Sequence, residues 1–134
     1  MSLDEATAAP PSRGKRILLV DDELSSAEVL ALILAGEGYQ VTLAPDARQA
    51  LARLGEAEPD LLVSDFMMPG MNGADLVKAV RQLPGYETLP VILISGAPEA
   101  ALRRYKVEYE AFLRKPFGLE EFLQTLQRVG ASSA

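Results

Sequence analysis

Three short runs of almost unbroken apolar residues, Ile17-Leu18-Leu19-Val20, Leu61-Leu62-Val63 and Val91-Ile92-Leu93-Ile94, constrain this chain more than any other feature. Runs of this kind have no polar side to turn to water. As strands they must be covered on both faces, which suits a parallel sheet held between layers of helices. Weaker strands are expected at Tyr39 to Ala44 and at Ala111 to Arg114. Between the strands the apolar residues recur with helical spacing, as Ala27, Leu30, Ala31 and Leu34 in the first such segment and Leu119, Phe122, Leu123 and Leu126 in the last. Gly36 and Gly38 are placed to stop the first helix, Pro45-Asp46 to open the second and Pro98 to sit in a first turn. Glu120 and Glu121 lie where a helix N-terminus favours negative charge. Strand then helix, five times over, implies right-handed crossovers and ligands gathered beyond the carboxyl ends of the strands.

The residues at those ends are Asp21 and Asp22 after the first strand, Asp65 after the third, Ser95 after the fourth and Lys115 after the fifth. Taken singly, each has a bland reading as a turn, a helix cap or a surface charge. Together they bring three carboxylates, a hydroxyl and an ammonium group to one rim of the sheet. Crowded carboxylates repel one another unless a cation or a proton sits among them. The chain has no Cys and no His, which removes disulfides, thiol nucleophiles, imidazole bases and most zinc or copper sites. Hard oxygen donors favour Mg2+. A carboxylate can also attack phosphorus to form an acyl phosphate, and Asp65, on the middle strand, is the central candidate for that step.

A chain of 134 residues is long enough for one domain that buries about two thirds of the surface it exposes when unfolded. Residues 1–14 read as a disordered tail or linker, 15–130 as the folded domain and 131–134 as a C-terminal tail. The formal net charge of -6 argues against direct nucleic-acid binding. No apolar run approaches the ~20 residues that cross a bilayer, and the N-terminus lacks a signal-peptide pattern, so a cytoplasmic location is expected.

Leu19-Val20-Asp21-Asp22-Glu23, Asp65-Phe66-Met67-Met68-Pro69-Gly70-Met71-Asn72-Gly73, Ile94-Ser95-Gly96 and Lys115-Pro116-Phe117 resemble the motifs of response-regulator receiver domains, over about Lys15 to Val129. The resemblance implies a flavodoxin-like (βα)5 fold with strand order 2-1-3-4-5. It implies Asp65 as phosphoacceptor with Lys115 and Ser95 beside it, and Mg2+ held by Asp21, Asp22, Asp65 and the backbone carbonyl of Met67. Ser95 and Phe112 become a switch pair, and Lys115-Pro116 resembles the family's cis peptide. The implied donor is a histidine kinase or phosphotransfer protein, and the output is a downstream protein, an attached domain or a phosphorylation-dependent homodimer. No outside substrate would be turned over. Met67 and Ala97, at positions that modulate hydrolysis in the family, cannot orient a water, so slow self-dephosphorylation is expected.

Two other readings are weighed against this one: an interaction module that is never phosphorylated, and a true enzyme. The presence of all five site residues opposes the first. An aspartate-nucleophile phosphatase would want an acid at Met67, and a flavin-binding protein a Gly/Ser/Thr-rich phosphate loop, and neither is present. Two local features stand out. The 19 residues between Ser95 and Lys115 lack the family's usual Gly-Ala turn, so the fourth helix is expected to be short or irregular. On the first helix, Val29, Leu32 and Ile33 form a second apolar stripe, for which burial under the last helix is favoured over the alternative that the resemblance implies, a docking surface for a kinase helical bundle.

Overall fold

The computed structural model describes residues 15–132. Five parallel strands, β1 (Arg16–Val20), β2 (Gln40–Ala44), β3 (Leu61–Asp65), β4 (Val91–Ser95) and β5 (Ala111–Arg114), lie in the order β2-β1-β3-β4-β5. This is the flavodoxin-like order. The three apolar runs become the three interior strands, and β3 and β4 are buried at every residue. The edge strands β2 and β5 are only partly covered, which is why their sequence signal is weaker.

Helices α2 (Ala47–Ala57) and α3 (Gly73–Arg81) cover one face of the sheet, and α1 (Leu24–Gly36) and α4 (Leu119–Ser132) the other. Asp46 caps α2 by accepting a hydrogen bond from the Gln49 amide at 2.8 Å. A capping box opens α3: Asn72 Oδ1 accepts from the Asp75 amide at 2.9 Å, and the Asp75 carboxylate accepts from the Asn72 amide. Gly38, at φ +100°, turns the chain after α1. The last helix runs through Ser132, two residues into the stretch expected to be tail. The N-terminal tail of residues 1–14 and the final two residues lie outside the described region.

Two local expectations were tested by the structure. The fourth connection is short and irregular, as its sequence suggested: Glu99–Tyr105 form a 3-10 helix in which only Leu102 is buried. Lys106, at φ +51°, then reverses the chain. What replaces the missing helical packing is Arg81, at the end of α3. Its guanidinium donates to the carbonyls of Glu108 (2.6 Å) and Leu89 (3.1 Å) and contacts the Glu110 carboxylate at 3.4 Å. Glu110 in turn accepts from the Val91 amide at 2.6 Å and donates its own amide to the Val91 carbonyl, so the start of β5 is fixed against the start of β4. The second expectation fails. Val29 is 56% exposed and Leu32 75% exposed, while Ile33 is half-buried, because α1 meets the core through Ala27, Leu30, Ala31 and Leu34 and leaves Val29 and Leu32 facing water.

Gly73 joins the fold to the rim. Its amide donates to the Phe66 carbonyl at 2.8 Å, and a Cβ there would meet Asp65 O at 2.7 Å and Phe66 Cα at 2.9 Å, both unyielding backbone atoms. Helix α3 can therefore start against the end of β3 only with glycine at this position. Gly73→Ala is expected to lower stability by about 1–3 kcal/mol. Gly55→Ala, in the exposed interior of α2 with nothing within 4 Å of the added methyl, should raise it by roughly 0.5–1 kcal/mol. Urea midpoints of the two variants would check the opposite signs.

Candidate phosphoacceptor and metal site

Parallel pairing in register brings the ends of β1, β3, β4 and β5 to one edge of the sheet. Asp65 ends β3 and is 6% exposed. Lys115 follows β5, and its amide donates to the Ser95 carbonyl at 2.8 Å, which carries the strand pairing right up to the site. The ammonium reaches back across β4 to both carboxylate oxygens of Asp65, at 3.0 Å and 3.2 Å. The Lys115-Pro116 peptide is cis, as the motif implied.

The acidic pair closes the other side. Carboxylate oxygens of Asp21, Asp22 and Asp65 all lie within 4.8 Å of one another, with Asp21 and Asp65 buried and Asp22 exposed. Asp21 is held in place by its backbone amide, which donates to the Ala44 carbonyl at 3.1 Å, and by its Oδ1, which accepts from the Glu23 amide at 2.9 Å.

Burial first, and then hydrogen bonding and repulsion from Asp21, push the Asp65 carboxyl up to about 7, against a smaller opposing pull from Lys115. For Lys115, burial disfavours the charge, but the Asp65 carboxylate beside it, with Asp21 and Glu23 behind, outweighs this and holds the ammonium above its ordinary range. One ammonium thus faces more negative charge than it can neutralise. Three clustered oxygen donors with no nitrogen or sulfur among them fit a small hard divalent cation, whose charge would offset both the burial and the Asp21 interaction that raise the Asp65 carboxyl.

The remaining predicted residues sit around this centre. Ser95 ends β4 and is 2% exposed, and its Oγ accepts from the Ala97 amide at 3.0 Å. As an acceptor there, the hydroxyl keeps its own proton. Phe112 is half-buried and pairs in register with Leu93, while Ser95 pairs with Arg114. Alternation along the strands therefore places Ser95 and Phe112 on the same face, one step apart. The Met67 side chain is 63% exposed at the mouth of the site.

Sequence reasoning did not single out the roles of Gly73, Arg81 or Tyr105. The Tyr105 ring packs edge-to-face on Phe66, with centroids 4.9 Å apart and planes at 69°. For Gly73 a signal was present, a glycine at the mouth of a helix right after the third strand, whereas a single Arg or Tyr in a polar stretch offers none.

Removing the charge at residue 65 should stabilise the chain in the absence of divalent ions. In chelator at pH 8, Asp65→Asn is expected to be more stable than wild type by about 1–3 kcal/mol. A carboxyl whose folded value is raised costs stability as pH rises from the unfolded value toward 7, so the gap should narrow as pH falls and close only below about pH 3, where both states are protonated. Urea denaturation of the two proteins at both pH values would test this.

The chain was compared with known proteins. Residues 17–127 match the response regulator receiver domain family. The sequence is 39% identical over 117 residues to a 14.6 kDa protein from the sodA1 3' region of Leptolyngbya boryana, covering 84% of this chain and 87% of that one. It is 35% identical over 111 residues to the DNA-binding response regulator MtrA of Mycolicibacterium paratuberculosis, covering 81% of this chain and 48% of the relative, so that it spans about half of that protein's length. Among solved structures, the chemotaxis protein CheY4 of Vibrio cholerae superposes with a TM-score of 0.81 at 36% identity, over 86% of this chain and 98% of that one. The receiver domain of the sensor histidine kinase PA1611 from Pseudomonas aeruginosa, solved with magnesium coordinated in its active-site cleft, superposes with a TM-score of 0.79 at 27% identity, over 88% of this chain and 98% of that one. On sequence, strand order and the family match over most of its length, this chain belongs to the response regulator receiver domains of two-component signalling.

Proposed function

We propose that Asp65 accepts a phosphoryl group from a phosphohistidine donor, with Mg2+ in the acidic cleft, and that the domain signals by changing shape. The observation that carries this reading is a buried carboxylate bonded through both oxygens to the Lys115 ammonium, with two further carboxylates inside 4.8 Å. A structural ion pair would not need the extra acids, which only raise its cost.

The chain's own groups divide the work. A carboxylate oxygen of Asp65 forms the new P–O bond as the donor's P–N bond breaks, and the imidazole leaves with that bond's electron pair. Lys115, paired with Asp65, holds a positive charge where the transferred oxygens gather. The Ser95 hydroxyl donates a hydrogen bond to a phosphoryl oxygen once it turns from the Ala97 amide. Asp21, Asp22, Asp65 and the Met67 carbonyl would hold Mg2+, which when bound supplies positive charge that offsets the carboxylate repulsion and neutralises phosphoryl oxygens. When Ser95 turns, Phe112, on the same face and only half-buried, fills the space released and alters the surface beside β5.

Because the chain contains no His, a protein donor must be another molecule or domain, a histidine kinase or phosphotransfer protein, and a small acyl phosphate can substitute for it. The product is a modified domain; no outside substrate is turned over. The readout passes to a downstream protein, an attached domain or a second copy. Among the described residues no helix is long and apolar enough to cross a membrane. Exchange with a kinase of this kind suits a cytoplasmic location.

With acetyl phosphate and Mg2+, intact mass should show one added phosphoryl group in wild type and none in Asp65→Asn. Lys115→Ala should slow the transfer by roughly 100-fold or more, the scale of losing one charge-stabilising group. If Lys115→Ala were as fast as wild type, the proposed role of the ion pair would be wrong. Since neither Met67 nor Ala97 can orient a water, the phosphoryl group should persist for many minutes after the donor is removed, and decay within seconds would contradict this.

A further inference from the structure

The contact between Phe66 and Tyr105 is unexplained by the chemistry above, and it joins the residue after the proposed phosphoacceptor to the 3-10 segment Glu99–Tyr105. We propose that Tyr105 reads the state of Asp65 through Phe66, by a route separate from Ser95 and Phe112. The inference rests on Asp65 being phosphorylated, as proposed above.

Phe66 stands between the two residues expected to take up charge, with the Asp65 carboxylate on one side and the Met67 carbonyl on the other. Its backbone is pinned at both ends: its amide donates to the Ile94 carbonyl at 2.7 Å and its carbonyl accepts from Gly73 at 2.8 Å. A pull on either neighbour therefore twists the peptide units about fixed points and reorients the ring that they carry. That ring is 5% exposed and meets the Tyr105 ring edge-to-face at 4.9 Å.

On the other side of the contact, the Glu99–Tyr105 segment is built to move. A 3-10 helix has poorer hydrogen-bond geometry than an α-helix. The segment and the loop after it are restrained at their ends, where the Tyr109 hydroxyl donates to Glu99 at 2.7 Å and Arg81 holds Glu108 and Glu110. Between these restraints Leu102 is the one fully buried side chain, and Tyr105 is half-buried. Tyr105, Val107 and Tyr109 pack against the core only partly buried, and segments with few fully buried side chains open at lower free-energy cost than core elements. Arg104 lies over the Tyr105 ring at 5.0 Å and donates to its hydroxyl at 2.9 Å, so a displaced Tyr105 takes an exposed cation with it. Arg103 and Lys106 flank that cation, and both are exposed, in a chain of net charge -6. What moves is thus a small basic patch on an acidic domain.

The chain has no tryptophan, so Tyr105→Trp introduces a single indole fluorophore at the contact. Titration with beryllium fluoride and Mg2+, a phosphoryl mimic, should shift its emission, with no shift when Asp65→Asn is added and the shift retained when Phe112→Leu is added. A second measurement uses the native segment: Tyr105→Leu should change the apparent affinity for beryllium fluoride by about two- to tenfold, the scale of one aromatic pair, while Tyr105→Phe, which keeps the ring, leaves it near wild type. An indole at position 105 that does not respond, a response abolished by Phe112→Leu, or equal affinities for Tyr105→Leu and wild type would each overturn the proposal. Intact mass after acetyl phosphate treatment, on the same samples, separates the two ideas. Absence of the phosphoryl adduct on wild type sinks the functional reading itself, whereas a phosphorylated chain with a silent residue 105 sinks only this inference.

Discussion

The pairing of Lys115 with Asp65 across an intervening strand is the interaction on which the rest of the molecule turns. It spans 50 residues of sequence and connects β3 to the end of β5 over the top of β4, so it exists only if all three strands are in register. Taken alone it is a poor source of stability. The carboxylate is buried with a second buried acid beside it, while the ammonium is about one third exposed. Burial and Asp21 dominate at Asp65, whereas the surrounding negative charge dominates at Lys115, which is why both groups move upward rather than in opposite directions. A fold that tolerates this imbalance at one edge holds a site suited to taking up positive charge and a doubly charged anion together.

Much of this was written in the sequence where a single physical cause operates. Strands covered on both faces must be apolar throughout, so β1, β3 and β4 declared themselves, and β5 was expected at the four residues it occupies. The rim residues were legible because strand ends in such a sheet converge whatever the loops do. Where several weak causes compete, the sequence was mute. Nothing in Val29 or Leu32 tells which of two apolar stripes on α1 meets the core, since that depends on how the helix is rotated on the sheet. The connection from β4 to β5 was recognisable as irregular, yet its anchoring by Arg81 depends on side-chain reach across 27 and 29 residues, which no local pattern encodes. The Phe66 and Tyr105 contact has the same character.

Family membership sets limits on what the domain does by itself. The curated response regulators it resembles include proteins about twice its length, in which a receiver is one part, and the CheY4 structure shows the same fold in a chain matched over nearly its full extent. In this chain the surface next to β5 is formed by a 3-10 turn and a tethered loop in place of a regular helix.

The Arg81 tether also bears on the order in which the chain assembles. Its bonds to Glu108 and Glu110 require α3 to be formed, and the Val91 bonds to Glu110 require β4 to be laid down. The loop before β5 therefore has nothing to grip until most of the molecule exists, and closing a loop of that span gains no contacts before then. Lys115 directly follows that strand, so its ammonium reaches Asp65 only once the long-range contacts that seat β5 are in place.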